Sequence, residues 1–441
     1  MSLLRNKKFL SLYAATAISN LGDGVGSVAY PWLASAVTRN PVLIALVIVA
    51  QRLPWLVFTL PAGVITDRVD RRKAMVAMDG VRCALTVVVA VAVFAQRTHL
   101  PRPGHIPDVM GTRTGLYVIL LVATLLLGMA EVLRDNASQT IVPAIVEPDA
   151  LEKANGRMWG IEGIMNTFLG PPLGALLIGI AFALPFLVDA GSFLAAAALV
   201  AIIPGTFRAT RSEPPKGDVL PEEANRSSWR DELREGVRWL WGHQLLRPMA
   251  IILGLMNAAG VVSGATFVLF AQEVMHTSPL VFSILGFGGA LGGIVAGQFA
   301  SAASKRFGSG TCLTITLVGG VVLSVLIGSI ALWPVVLVLF ALEMMLGMLW
   351  NVITVSLRQS IIPEHLLGRV NSVYRFFAWG MMPIGAAIGG LTVLVVDTFA
   401  SRGMALRATW FVNAAIHLVL FVMGRRYLTT DKIEAARAEV S

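Results

Sequence analysis

The chain has 441 residues, 56% hydrophobic and 14% charged, with a mean hydropathy of +0.74. Soluble globular domains carry roughly a quarter charged residues, so this composition excludes an ordinary soluble domain and points to an all-α integral membrane protein, because open strands would leave backbone groups unpaired in lipid. The net charge of +9 does not mark a nucleic-acid-binding protein, since Lys and Arg sit in loops between apolar runs and form no single basic patch.

A bilayer core needs about 20 apolar residues per helical span. The apolar runs predict twelve transmembrane helices, at about 9–37, 41–66, 74–95, 115–137, 157–180, 182–204, 246–274, 279–303, 311–330, 333–357, 371–396 and 405–424. The first run follows a short basic Met1–Lys8 and is too long for a signal peptide, so it reads as a retained span. Twelve crossings return the chain to its starting side. Arg5, Lys7, Lys8, the Arg68/Arg71/Arg72/Lys73 cluster, Lys305, Arg306, Arg425 and Arg426 flank that side, against Arg39, Arg97, Arg102, Arg113, Arg402 and Arg407 on the other. The positive-inside rule then places both termini in the cytoplasm of a multi-pass protein of the inner (plasma) membrane. Cys83 and Cys312 fall inside spans and read as buried free thiols.

The expected organisation is an N-terminal six-helix bundle (1–205), a cytoplasmic linker (206–244), a C-terminal six-helix bundle (245–427) and a cytoplasmic tail (428–441). Within the linker, Trp229, Leu233, Val237, Leu240 and Trp241 recur at helical spacing, which predicts an amphipathic helix on the inner membrane face. The halves repeat one another: Gln139-Thr-Ile-Val-Pro143 returns as Gln359-Ser-Ile-Ile-Pro363, and Pro172-Leu-Gly-Ala175 as Pro383-Ile-Gly-Ala386, in the same order. Two related bundles meeting at a midplane cavity is transporter architecture.

An ionisable group at bilayer depth is costly unless it faces a cavity or a partner. Asp23 lies mid-span between glycines, Arg52 in the second span, Glu131 in the fourth and Glu343 in the tenth, with Asn351 at the position matching Glu131 in the repeat. These five are the candidate substrate- or proton-coupling residues. Asp23 and Glu131 lead as proton carriers, with static pairing to Arg52 or Arg134 as the structural alternative. Asp79, Arg82, Glu162, Arg358 and Arg375 lie nearer the cytoplasmic ends and read as structural or gate-pairing groups, and His417 as a packing group. There is no metal-ligand spacing, phosphate loop or nucleophile elbow, so no enzyme, metal or catalytic residue is expected.

The loop Gly63-Val-Ile-Thr-Asp67-Arg68-Val-Asp-Arg71-Arg72-Lys73 resembles the signature loop of the major facilitator superfamily, with Asp70 where that family usually has glycine. In it Gly63 would permit close helix approach and Asp67 would cap the next helix or pair with Arg71. The resemblance implies a latch closing a cytoplasmic gate, to which Arg134 and Asp135 are also assigned. Gly170-Pro171-Pro172-Leu173-Gly174-Ala175 resembles the superfamily's antiporter kink, although helix packing through small residues explains it nearly as well. Gly289, Gly293 and Gly297 are assigned to packing. Asn20-Leu-Gly-Asp-Gly24, Gln51-Arg-Leu-Pro-Trp55, Ala154-Asn-Gly-Arg157 and Leu367-Gly-Arg-Val-Asn371 resemble the macrolide-efflux, drug:proton antiporter branch. The resemblance implies the major facilitator fold and a monomeric, proton-coupled exporter of small amphipathic organic compounds working by alternating access. It would be driven by the proton gradient without a cofactor, and in contact with membrane lipid and no nucleic acid. Trp159, Phe376 and Trp379 would line the route. Export of a specific metabolite such as a siderophore, or lysophospholipid flipping, stays open as an alternative.

Overall fold

The computed structural model describes residues 3–208 and 229–438. Residues 209–228 of the expected linker lie outside the described residues. The chain folds as α1 (Lys7–Val37), α2 (Pro41–Val57), α3 (Thr59–Arg68), α4 (Arg71–Ala95), α5 (Thr114–Ile145), α6 (Leu151–Gly163), α7 (Gly170–Ile180) and α8 (Leu184–Ala201). It resumes with α9 (Trp229–Gly242), α10 (Leu246–Gly264), the short α11 (Phe267–Leu269), α12 (Pro279–Phe307), α13 (Ser309–Ser329), α14 (Trp333–Ile361), α15 (Glu364–Gly380), α16 (Met382–Val396), α17 (Arg402–Gly424) and α18 (Thr430–Ala438). Side chains start several of these helices by accepting free N–H groups of the first turn: Asn6 on α1, Asn40 on α2, Asp70 on α4, Ser278 on α12 and Ser401 on α17.

Among the described residues, ten helical segments are long and apolar enough to cross a membrane. That number differs from the twelve spans expected. The segment Pro41–Val57 is apolar but shorter, because the helix breaks at Phe58, and Lys7–Val37 is long but does not reach the hydropathy of the ten. The reason is in the sequence: α1 carries Thr16, Ser19, Asn20, Asp23, Ser27 and Ser35. Many of these polar groups are turned into the protein, and Ser19, Asn20, Thr16 and Ser35 are buried.

The buried apolar side chains show how the two sets of helices meet. One cluster runs across both, joining Trp32, Leu33 and Val37 of α1 to Val268, Phe270 and Met275 beyond α10, Leu285 of α12 and Trp410 of α17. It occupies the face opposite the chain ends, called here the distal face. Toward the face that carries the ends the core divides. One cluster there draws only on Leu3 to Phe207 and another only on Leu240 to Ile433. The helix sets are thus sealed together at the distal face and packed separately at the terminal face.

Two terminal-face elements differ from expectation. Helix α9 lies against α15: Leu240 is fully buried in the C-terminal cluster, a Cβ on Gly236 would sit 3.0 Å from the Arg369 carbonyl carbon, and Glu235 pairs with Arg369. Its apolar stripe is therefore spent partly on protein rather than on the membrane surface. The expected tail contains α18, with Leu428 and Ile433 buried in the same cluster, so this part of the chain is docked.

Candidate functional site

The central charged cluster is assembled by α1, α4, α5 and α8. Three glycines let α1 approach its neighbours without side chains in the way. A Cβ on Gly24 would fall 2.8 Å from the Gly170 Cα, one on Gly174 2.6 Å from the Val25 carbonyl oxygen, and one on Gly22 2.5 Å from Asp189 Oδ1. This contact aims Asp23 at Arg82 of α4, with which it forms an ion pair. Arg82 also donates to Ser19 Oγ at 3.2 Å, and its guanidinium lies 3.9 Å from the centre of the Phe193 ring. A second arginine, Arg134, holds Asp79 at 3.3 Å and Asp135 at 3.6 Å. Arg82 and Asp79 are 3.7 Å apart, so the two pairs form one network.

A cavity of about 50 Å³ opens inside this network, lined by Asp23, Gln51, Arg82, Glu131, Asp189 and Tyr30 among others. Asp189 is 3% exposed, makes no ion pair among the described residues, and its Oδ1 has no hydrogen-bond partner. Sequence reasoning missed it, although a carboxylate inside the apolar run 182–204 was signal enough. Asp23 and Glu131 do share one cavity. However, the arginine paired with Asp23 is neither Arg52 nor Arg134 but Arg82, expected nearer the membrane edge. Asp79, expected there too, is fully buried in the same network.

Other candidates lie elsewhere. Arg52 is exposed on α2 and lines a separate cavity with Gly260, Trp379 and Pro383. Glu343 is half-buried on α14 and has no hydrogen-bond or ion-pair partner among the described residues, and Asn351 is exposed on the same helix. Trp159 is exposed on α6, away from the residues that line these cavities. His417 is buried, and its Nδ1 lies 3.1 Å from the Asn413 carbonyl oxygen.

At the distal face a second charged assembly crosses between the helix sets, of which only Arg39 and Arg402 are marked by the pattern of basic residues. Phe270–Val274 is a π-turn that places Gln272 and Glu273 side by side. Glu273 binds Arg39 at 2.8 Å and Arg402 at 3.0 Å; Arg402 donates to the Arg39 carbonyl oxygen at 2.8 Å and pairs with Asp397 at 3.1 Å. Gln272 accepts from Arg39 at 2.5 Å and donates to Ser35 Oγ at 2.8 Å. Arg39 and Ser35 belong to one helix set, the remaining groups to the other.

The profile of the Major Facilitator Superfamily matches residues 12–386. The chain belongs to the major facilitator superfamily. It is a transporter and a multi-pass membrane protein. It is 27% identical over 399 residues to the multidrug efflux pump Tap of Mycolicibacterium fortuitum, covering 88% of this chain and 89% of Tap. It is 23% identical over 444 residues to the enterobactin exporter EntS of Shigella boydii, covering 99% and 97%. Its fold matches a bacterial homologue of the iron transporter ferroportin in an inward-facing state, with a TM-score of 0.69 at 16% identity over 97% of this chain and all of that one.

The superfamily's signature loop takes a form of its own here. Gly63 has nothing within 4 Å of where a Cβ would stand, so it does not serve close helix approach as expected. The helix-capping role expected of Asp67, whose side chain is outside the described residues, falls to Asp70. Asp70 accepts from Lys73 N–H at 3.1 Å and Phe207 N–H at 3.0 Å with φ −69°, a conformation that needs no glycine. Although burial works against it, these N–H bonds and nearby Arg72 hold the Asp70 carboxyl below the ordinary carboxylate range. Arg71 donates to the Thr140 carbonyl oxygen and Arg72 to that of Ile203, each at 2.8 Å, which ties the loop to α5 and to the end of α8, while Arg68 is exposed. The antiporter-like stretch follows a π-turn, Ile164–Leu169, with Pro171 and Pro172 in the first turn of α7, where their missing N–H groups cost nothing. On α12 the packing glycines are one residue off the expected register. Gly288 and Gly292 meet the Leu337 and Ala341 backbone, while Gly289 and Gly293 touch only Met344 and Gly297 touches nothing.

Proposed function

We propose that this protein is a proton-coupled exporter of small amphipathic organic compounds. The observation that carries the proposal is the cavity of about 50 Å³ lined together by Asp23, Glu131, Asp189 and one arginine, Arg82. Three carboxylates and one guanidinium lining one small cavity at bilayer depth cannot all remain charged without large cost, so the group holds and releases protons. The cavity admits a few water molecules, at about 10–15 Å³ each, and is too small for drug-sized molecules, whose sites run about 300–1,000 Å³. It suits a proton, with the organic solute bound elsewhere.

Direction follows from sidedness. The basic cluster Arg68 to Lys73 and Lys7, Lys8, Lys305 and Arg306 lie on the terminal face, which the positive-inside rule assigns to the cytoplasm. The divided core then opens inward, and the Glu273 assembly closes the outside. Similarity to Tap and EntS, both named for outward transport, supports export. The near full-length match to EntS also favours a second reading, a single metabolite as substrate, which competition among dissimilar compounds distinguishes.

The test is efflux from proteoliposomes under an imposed pH gradient. Asp23→Asn, Glu131→Gln and Asp189→Asn should each cut gradient-driven transport at least tenfold while leaving counterflow exchange measurable. Full proton-driven transport in all three removes the cluster from the coupling mechanism.

A further inference from the structure

Two larger cavities lie along the seam where α2 meets α15 and α16. The one nearer the terminal face, about 350 Å³, is lined by Trp55 of α2, Thr59 at the start of α3, Trp241 of α9, and Arg375, Phe376 and Trp379 of α15. The deeper one, about 340 Å³, is lined by Arg52 of α2, Gly260 and Gly264 of α10, and Trp379, Met382 and Pro383. Trp379 borders both, so they follow one another inward along α2.

The walls are flat and aromatic. Trp55 stacks on Trp379 across the seam at 6.1 Å between ring centres and 24° between planes, and Trp241 stacks on Phe377 at 6.0 Å and 28°. Phe376 is 61% exposed, its ring meeting Phe377 edge-to-face at 6.1 Å, so much of its surface stands open. The charge along the path has one sign. Each cavity is lined by one arginine and by no carboxylate; neither Arg52 nor Arg375 makes an ion pair within 4 Å among the described residues, although Glu131 lies within electrostatic reach of Arg52. Stacked rings bind planar aromatic groups, and an unpaired guanidinium binds carboxylate, sulfonate or phosphate.

We infer that this seam is the binding path for organic anions that carry a planar aromatic part, and that the linker helix α9 supplies one wall of it through Trp241. The inference rests on the exporter reading and names its substrate class. The separation is economical in space: protons are handled by the carboxylate cavity inside the N-terminal set, and the solute by the cationic, aromatic seam between the sets. An acyl chain has no use for two arginines without an ion pair among the described residues, and an organic cation would find no carboxylate lining either cavity.

The experiment compares two dyes with one aromatic skeleton, anionic 8-anilinonaphthalene-1-sulfonate and uncharged N-phenyl-1-naphthylamine. Binding to the full chain in phosphatidylcholine nanodiscs is read as energy transfer from tryptophan, which lipid-dissolved dye does not give. The anion should bind at least tenfold more tightly. Arg375→Gln should weaken it about tenfold, or about 1.4 kcal/mol, and leave the neutral dye within twofold, while Arg375→Lys should retain most of the anion affinity. Trp379→Leu should weaken both dyes about tenfold at unchanged melting temperature. Equal affinities for the two dyes with no effect of Arg375→Gln, or no effect of Trp379→Leu, overturn the inference. So does loss of the anion from discs containing phosphatidylglycerol, since the seam would then hold anionic lipid. No proton gradient enters this assay, so its failure leaves the coupling cluster standing, and loss of gradient-driven transport in Asp23→Asn leaves the seam standing.

Discussion

The distal assembly around Glu273 makes the sharpest prediction. Glu273 and Arg39 both have side chains that are 4% exposed, and they face each other across the helix sets at 2.8 Å. Burial draws the Arg39 guanidinium below its ordinary value, and the Glu273 carboxylate draws it back up. Replacing Glu273 with Gln keeps the shape but leaves Arg39 and Arg402 facing each other without the shared anion. Unit charges about 4 Å apart at an effective dielectric near 20 interact by about 4 kcal/mol. Gln still accepts hydrogen bonds, so a net loss of about 2–3 kcal/mol is expected for the closed distal face. That shifts the ratio of distal-open to distal-closed molecules about 30- to 150-fold. Exposed Thr98 and Thr398 sit on that face in different helix sets. Spin labels at both, with Cys83 and Cys312 replaced, report the distance by pulsed electron resonance. Wild-type protein should give one short distance, and Glu273→Gln a second, longer population. A ratio that moves less than about threefold in both Glu273→Gln and Arg39→Gln would refute the idea that these pairs hold the face shut.

Two further outcomes follow from the signature loop and the α1 contacts. Asp70→Ala removes the cap of α4 and the bond to Phe207, and should lower stability by about 1–2 kcal/mol at neutral pH, read as melting temperature in detergent. Because the folded carboxyl sits below its unfolded value of about 3.9, its contribution is complete above that value and is lost as pH falls through the folded one. The difference between wild type and Asp70→Ala should thus be flat from about pH 7 to 5 and shrink below about pH 4. Gly170→Ala, whose Cβ would stand 2.5 Å from Gly24 Cα, should cost about 1–3 kcal/mol, whereas Gly63→Ala in open space should cost nothing. Equal melting temperatures for the two alanine variants would contradict the packing described for α1.

Much of this protein is written in apolar periodicity and in charges that have no business inside a span. Asp23, Arg52, Glu131 and Glu343 stand out for that reason alone, and the Asp-Arg-x-Asp-Arg-Arg loop announces the family. What periodicity cannot convey is which face of a helix a charge occupies once several helices pack. Arg82 reads as a membrane-edge residue by position, yet the glycines of α1 bring Asp23 onto it. The one-residue error along α12 has the same origin, since Gly288/Gly292 and Gly289/Gly293 are equally good four-residue stripes until α14 chooses between them. The Glu273 assembly was invisible for a different reason. Its members lie 129 and 234 residues from one another along the chain, and a π-turn, which leaves no reliable mark in sequence, sets their register.

In the proposed proton-coupled cycle, the position of α1 would let a proton in the cluster be felt at the distal face. Asp23 pairs with Arg82 and Ser19 accepts from it, while Ser35, on the same helix, accepts from Gln272 of the other set. Twelve residues separate Asp23 from Ser35, about 18 Å along the helix axis. Protonating Asp23 leaves Arg82, 3% exposed, with Asp79 at 3.7 Å as its remaining ion-pair partner, and an underpaired buried cation is expensive. In the proposed cycle that cost is relieved by moving α1, yet α1 cannot move alone, because its glycines press it against the backbone of α7 and against the Asp189 and Ser192 side chains of α8. In that cycle the N-terminal set would move as a body and carry Ser35 and Arg39 away from Gln272 and Glu273. A change confined to one set thereby acts on the contacts between the sets, as coupling between a proton site and a gate requires.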